Sequence, residues 1–335
     1  MDQTRQNRVS RLRLLVLGSV VSLYLLFAGK VLLAREAAPD STWKTLNVKD
    51  VATLEWDDRY RMGKLGRSTG KLLYSNLEGA TLAYINFVPG WDAYLKDAHY
   101  HDFHEWGYVL EGNFLIYEFV NPTQQMGTLE HMRAGTWMDR PAYSIHGQRA
   151  DVMARQKIPP NSVHLAFAEG GETISLNPES RRYSDSWQDV KQWTRANFQH
   201  SATTEVMEWE DDKELPGVSV KWLSDNWQGG FRSVLRYAPP GWSHPGAPVR
   251  NYFKKAQRFF YILYGDLKVG TANGPDDAEQ SIVVKQDYFI DQPPMSIWGW
   301  QEGPLTESGA MWLEVTYAEG TKVGGGPIEQ PSLLP

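Results

Sequence analysis

The chain contains no cysteine, and this absence removes several kinds of chemistry at once. Without a thiolate there is no cysteine nucleophile, no cysteine-ligated zinc site and no iron–sulfur cluster. The absence is compatible with an oxidising compartment, although it does not require one.

Basic charge is also scarce. The 34 lysines and arginines are outnumbered by 40 acidic residues, and no basic cluster occurs beyond the first 13 residues. We therefore expect no nucleic-acid partner. The hydrophobic content of 41% indicates a globular chain, and 14 tryptophans could line a cavity for an apolar or aromatic small molecule.

Long hydrophobic runs are missing except for one near the N-terminus. Residues 14–34 hold a single charge, Lys30, and follow four arginines. A helix of this length would be about 31 Å long, enough to cross a bilayer. We predict a transmembrane anchor or a cleaved signal helix in residues 1–34. The anchor is favoured because no small-x-small cleavage pattern stands out, and a soluble apolar helix is the third option.

The arginines before this run predict which side of the membrane the rest of the chain occupies. The positive-inside rule places residues 35–335 on the non-cytoplasmic side, periplasmic or extracellular. Cleavage of the signal would instead give a secreted protein.

Four residues in the first half of the chain form a metal-ligand pattern. His99 and His101 lie two residues apart, so on a strand both side chains leave the same face. Glu105 follows after a three-residue step, and His146 lies downstream in a segment that begins at Gly135. Three imidazoles and one carboxylate form an N3O ligand set for a divalent transition metal.

These segments resemble the two sequence motifs of the cupin superfamily. Residues 99–112 are similar to its His-x-His, Glu and Gly pattern, and residues 135–146 to its Gly, Pro and His pattern. Tyr143 stands where the family usually has glycine, and Ala150 where it has asparagine; neither is a ligand position. The resemblance implies an all-β fold, the double-stranded β-helix or RmlC-like jelly roll, and short β-branched and aromatic runs between turn residues agree with it.

The chain also repeats itself. Six segments recur at offsets of 150 to 153 residues, among them Tyr108-Val-Leu-Glu-Gly112 as Tyr261-Ile-Leu-Tyr-Gly265. A duplication of this size predicts two domains of one fold, so the chain resembles a tandem bicupin, with a loose similarity to the ChrR-like branch. The predicted organisation is a helix (1–34), a linker (35–51), a metal-binding cupin domain (52–180), a linker helix (181–200), a degenerate metal-free cupin domain (201–325) and a loose tail (326–335).

The second copy lacks the ligand set. Alignment on Gly112 and Gly265 places Tyr252, Lys254, Arg258 and Trp298 at the positions of the four ligands. Two of these residues are cationic and would repel a metal ion. We expect no metal there, and we interpret the nearby His244 as a solvated loop residue.

The ligand set leaves two coordination positions open in a six-coordinate site, so we expect an enzyme. The resemblance favours a dioxygenase that cleaves a small chelating keto or enol substrate, with Fe(II) as the favoured ion and Mn, Ni or Zn as alternatives. A non-redox lyase, decarboxylase or isomerase is a second hypothesis, and a membrane-tethered ligand or metal sensor is a third. Candidate catalytic residues are Glu105, His104 and Tyr143, with Tyr108 and Trp137 nearby. Family members often pair, so a homodimer is a further option.

Overall fold

The computed structural model describes residues 43–57, 68–87, 99–119, 127–147, 162–175 and 200–334. The predicted N-terminal helix, residues 1–34, and the predicted linker helix, apart from His200, lie outside these ranges. Within the described ranges, no helix has both the length and the apolar character that membrane crossing requires. The non-cytoplasmic location and the homodimer stay predictions.

Alternation of apolar and polar residues produces an all-β fold of two curled sheets, as predicted. The first sheet, the N-terminal jelly roll, contains β2 (Ser68–Ser75), β3 (Thr81–Phe87), β4 (His99–His101), β5 (Glu105–Phe119), β6 (Thr128–Arg133), β7 (Thr136–Arg140), β8 (Ile145–His146), β9 (Ser162–Ala168), β10 (Thr173–Ser175) and β11 (His200–Thr203). Its order is β10-β4-β8-β5-β9-β3-β2, with β6 and β7 on β5 and β11 on β7.

The second sheet, the C-terminal jelly roll, repeats this plan. It contains β1 (Asn47–Asp50), β12 (Glu210–Asp211), β13 (Ser219–Asn226), β14 (Phe231–Ala238), β15 (Val249–Tyr252), β16 (Gln257–Ala272), β17 (Gln280–Lys285), β18 (Tyr288–Gln292), β19 (Ile297–Trp300), β20 (Ala310–Tyr317) and β21 (Ser332–Leu333). Single turns of 3-10 helix cover Val51–Thr53, Thr204–Val206 and Trp227–Gly229.

One long strand in each jelly roll serves both faces. The first part of β5 pairs with β7 and β9, and its second part pairs with β6 and β8. In the same way, the first part of β16 pairs with β18 and β20, and its second part pairs with β17 and β19. The bend lies at Gly112 and Gly265, whose φ angles are 73° and 75°. At Gly265 a Cβ would overlap the carbonyl of Gly309, so only glycine fits.

The two jelly rolls exchange strands. β1 precedes the N-terminal jelly roll in sequence but pairs with β18 of the C-terminal one, so Asn47–Asp50 is a strand within the segment predicted as a linker. In the reverse direction, β11 pairs with β7. The predicted loose tail also differs, because Ser332–Leu333 pairs with β15 and Ile328 is buried.

A shared apolar core joins the two halves. Trp106 stacks on Trp137 and Phe167 of its own half, and its indole Nε1 donates a 2.9 Å hydrogen bond to the hydroxyl of Tyr317 in the other half. Buried residues of both halves belong to this cluster, Leu235 of β14 among them. The alternate face of β5 is therefore left to line the interior of the N-terminal jelly roll.

Candidate metal centre

Three histidines meet inside the N-terminal jelly roll. β4 presents His99 and His101 on one face, and β8 lies beside it so that His99 pairs directly with His146. All three side chains are buried, and their ring centroids are 4.4 to 5.1 Å apart. One nitrogen from each ring lies within 4.8 Å of the others, and in the described residues this is the group suited to hold a metal ion.

The fourth predicted ligand approaches the same point. The carboxylate of Glu105 has one oxygen 3.5 Å from Nε2 of His101 and the other 3.6 Å from Nε2 of His146. Two atoms that bind one ion at about 2.0–2.2 Å cannot be more than ~4.4 Å apart, so these separations suit shared coordination. Glu105 thus lies beside the cluster of three histidines, and its coordination of a metal stays a prediction.

The chemistry of His146 also fits a metal. Its Nδ1 donates to the carbonyl oxygen of Ser144 at 3.1 Å, because a carbonyl can only accept, and this leaves the lone pair on Nε2 facing the cluster. Burial, followed by the nearby Arg140, His99 and His101, holds the pKa of His146 well below its usual range. A neutral imidazole with a free electron pair is the form that binds a divalent ion.

Behind this cluster a buried arginine, which the sequence did not predict, connects two glutamates. Arg140, opposite Glu105 in the β5–β7 ladder, donates to Glu105 Oε2 at 3.1 Å and to Glu118 Oε1 at 3.0 Å. Burial raises the pKa of Glu118 to about 8, with Arg140 opposing the shift. Arg140 therefore orients the carboxylate of Glu105. No local sequence motif predicts this contact of Arg140, because Glu118 lies 22 residues away in sequence.

The contacts of His104 differ from those expected of a catalytic residue. Its Nε2 lies 2.6 Å from Asp139 Oδ1, and its ring meets the edge of Phe231 in the C-terminal jelly roll. Asp139 in turn accepts a hydrogen bond from Ser224 across the same boundary. Because neighbouring residues of an extended chain point to opposite faces, His104 joins the contact between the halves while Glu105 enters the interior.

Tyr143, the other candidate catalytic residue, lies beside another tyrosine, and its role as a pocket-lining hydroxyl stays a prediction. Its ring neighbours Tyr100, which alternates with His99 and His101 and so leaves the opposite face of β4. The φ angle of Tyr143 is 67°, which explains the glycine usual at this position in the family. Tyr108 and Trp137, also proposed near the site, belong to the core between the halves.

The ligand positions of the C-terminal jelly roll correct the sequence alignment by one residue. Asn251 pairs with Trp298 as His99 pairs with His146, so Asn251 and Phe253, rather than Tyr252 and Lys254, replace the two histidines. The loop before β16 is one residue longer than its counterpart before β5. Lys254 is exposed as a consequence, whereas Arg258 and Trp298 are buried at the predicted places.

Comparison with known proteins supports the fold. No family model matches the sequence, and no curated protein matches it. Solved structures do match: a candidate dioxygenase of Nostoc punctiforme (TM-score 0.56, 12% identity, 90% of each chain), the formate complex of Lactobacillus farciminis oxalate decarboxylase (0.51, 13%, 88% of this chain and 90% of that one) and Bacillus subtilis oxalate decarboxylase at pH 4.6 (0.50, 13%, 84% and 79%). At these identities the likeness shows the fold alone, and the fold is the tandem cupin arrangement.

Proposed function

Because the chain has a tandem cupin fold, we propose that it is a metal-dependent enzyme whose active site is the His99, His101, Glu105 and His146 cluster. The observation that carries this proposal is the convergence of three buried imidazoles within 4.8 Å, with Glu105 at 3.5 and 3.6 Å from two of them. The reaction we propose is oxygen-dependent cleavage of a small keto or enol substrate. The dioxygenase assignment of the Nostoc punctiforme protein supports this choice.

The chain's own residues would divide the work as follows. His99, His101 and His146 supply neutral nitrogen ligands, and Glu105 supplies one negative charge that partly offsets a divalent ion. When bound, the metal supplies Lewis acidity and open positions at which substrate and dioxygen can bind. Arg140 holds Glu105 in place from behind through its hydrogen bond to Oε2.

Oxygen consumption tests this reaction. Protein purified without air and loaded with Fe(II) should take up oxygen when a β-diketone such as acetylacetone, or 2-hydroxyacetophenone, is added. Glu105→Ala should abolish this uptake, while His131→Ala should keep it, since His131 is a histidine in the same half that bonds Asn113 at an exposed position. Uptake that survives in Glu105→Ala would contradict the proposal.

A non-redox lyase or decarboxylase is the second candidate, because two of the matched structures are oxalate decarboxylases. It would use the same ligands, with the metal polarising a carboxylate substrate. Turnover of a dicarboxylate such as oxalate by Mn(II)-loaded protein, with no net oxygen consumption, would favour it over the dioxygenase. The same two variants serve in that assay.

A further inference from the structure

The C-terminal jelly roll has a cavity of its own in the place where the N-terminal one has its histidines. The cavity has a volume of about 410 Å³, and Asn251, Phe253, Arg258 and Trp298, the counterparts of the metal ligands, all line it. This volume suits a molecule at the lower end of the usual small-ligand range, roughly 300–1,000 Å³. None of these four side chains is an imidazole or a carboxylate, so the counterparts of the metal ligands supply no such ligand here, although His244, Glu214 and Glu314 also line the cavity.

Three arginines line this cavity, and Arg258 is the one with the weakest carboxylate partner. Three buried or half-buried carboxylates, those of Asp212, Glu214 and Glu314, bond directly to Arg236. Glu214 also binds both terminal nitrogens of Arg232, at 2.6 and 3.1 Å. These two guanidinium groups therefore have close anionic partners.

Within the described ranges, the positive charge of Arg258 has no carboxylate partner as close as those of the other two arginines. Its nearest carboxylate oxygen, on Glu314, is 3.5 Å away, at the limit of a hydrogen bond, and its Nε donates to the neutral amide oxygen of Gln292. Its Nη2 is buried and has no hydrogen-bond partner among the described residues. A buried guanidinium with unmet donors is costly unless an acceptor can reach it.

The walls around this cation are flat and apolar. The guanidinium carbon lies 3.9 Å from the ring centroid of Trp298 and 4.6 and 5.1 Å from those of Phe260 and Phe253. The indole Nε1 of Trp298 is a second buried donor without a partner in the described part of the chain. The unmet groups are thus donors, and the remaining surface is aromatic.

We propose that the C-terminal jelly roll binds a small monoanionic carboxylic acid with a flat apolar body, its carboxylate on Arg258 and Trp298 and its body among the aromatic rings. The class is monoanionic because one cation is undercompensated, and a second negative charge would meet Glu314 and Glu214. This site uses the chain's own cation where the other jelly roll would use a metal, and it does not depend on the proposed reaction.

Calorimetric titration of the full chain with benzoate and with its neutral isostere benzamide tests the charge requirement. We expect one benzoate per chain and an affinity for benzamide at least about tenfold lower, because a charge-assisted pair is lost. Equal affinities, or no binding of benzoate at millimolar concentration, would overturn the proposal.

Variants locate the site. Arg258→Gln should weaken benzoate binding by about tenfold or more, and Trp298→Phe, which keeps the ring but removes the donor, by about threefold or more. The matched control is His99→Ala, which disables the metal cluster and should leave benzoate binding unchanged. Loss of binding in His99→Ala with retention in Arg258→Gln would place benzoate at the histidines and refute the site. If Arg258→Gln does not fold, Trp298→Phe and the benzoate–benzamide comparison still decide whether benzoate binds in this cavity.

Discussion

Glu105 and Arg258 occupy the same position in the two jelly rolls. Each lies at the start of the long central strand, where Glu105 pairs with Arg140 and Arg258 pairs with Gln292. The duplication has thus kept the position and reversed its charge. In one half the acidic side chain lies beside the cluster of three histidines, and in the other the basic side chain lines a cavity.

The first prediction compares the same substitution at these two positions. Glu105→Gln should lower the affinity for a divalent metal by at least about tenfold, because the charged oxygen ligand is lost. Arg258→Gln should leave that affinity unchanged. Competition of each purified variant with a chromophoric chelator measures both values, and an equal loss in the two variants would contradict the assignment of the site to the N-terminal half.

The second prediction concerns the buried bridge around Arg140. Arg140→Met should cost about 1–3 kcal/mol in the free energy of unfolding at neutral pH, because it removes the hydrogen-bond donor of the 2%-exposed Glu118, whose pKa of about 8 keeps its carboxyl mostly protonated there. Adding Glu118→Gln to this variant should restore part of the loss. Urea denaturation of the wild type, both single variants and the double variant gives the coupling energy. A double variant whose loss equals the sum of the single losses would show that the pair is not coupled.

The third prediction separates His104 from the reacting groups. His104→Ala should cost about 1–3 kcal/mol in the free energy of unfolding, because it removes a partly buried hydrogen bond to Asp139. Metal affinity and oxygen uptake by the folded variant should stay at wild-type values. His131→Ala, at an exposed position, should change stability by no more than about 0.5 kcal/mol. A folded His104→Ala protein without activity would contradict this prediction and show that His104 takes part in catalysis.

The fourth prediction is a pH dependence of stability caused by His164. Burial, with a smaller contribution from Arg140, lowers the pKa of His164 to about 3, whereas in the unfolded chain the group titrates near 6.5. The unfolded chain therefore binds the proton first, so the stability that this neutral histidine provides is complete above pH 6.5 and is lost as pH falls toward 3.

His164→Phe removes this titration, and the new ring would join Phe87 and Phe114, whose centroids lie 4.9 and 4.6 Å from the imidazole. Relative to wild type, the variant should be about 2 kcal/mol more stable at pH 5 than at pH 8. Denaturation at both pH values, with chelator present so that no metal contributes, measures this difference. A difference that is the same at pH 5 and pH 8 would rule out a buried neutral His164.

The amino-acid sequence alone indicated the duplication, the all-β class and four predicted metal ligands, of which the three histidines meet in one cluster. These conclusions rest on local properties, since a two-residue spacing places His99 and His101 on one strand face whatever the rest of the chain does. The repeated segments likewise align without knowledge of any contact.

Only the tertiary structure decided what surrounds those ligands. The Arg140 bridge requires the register of β5 against β7, and the place of His104 requires the contact between the halves. Loop length moved the C-terminal counterparts to Asn251 and Phe253. Register, loop length and strand exchange are set by the packing of segments far apart in sequence, and a motif read along one strand carries no information about them.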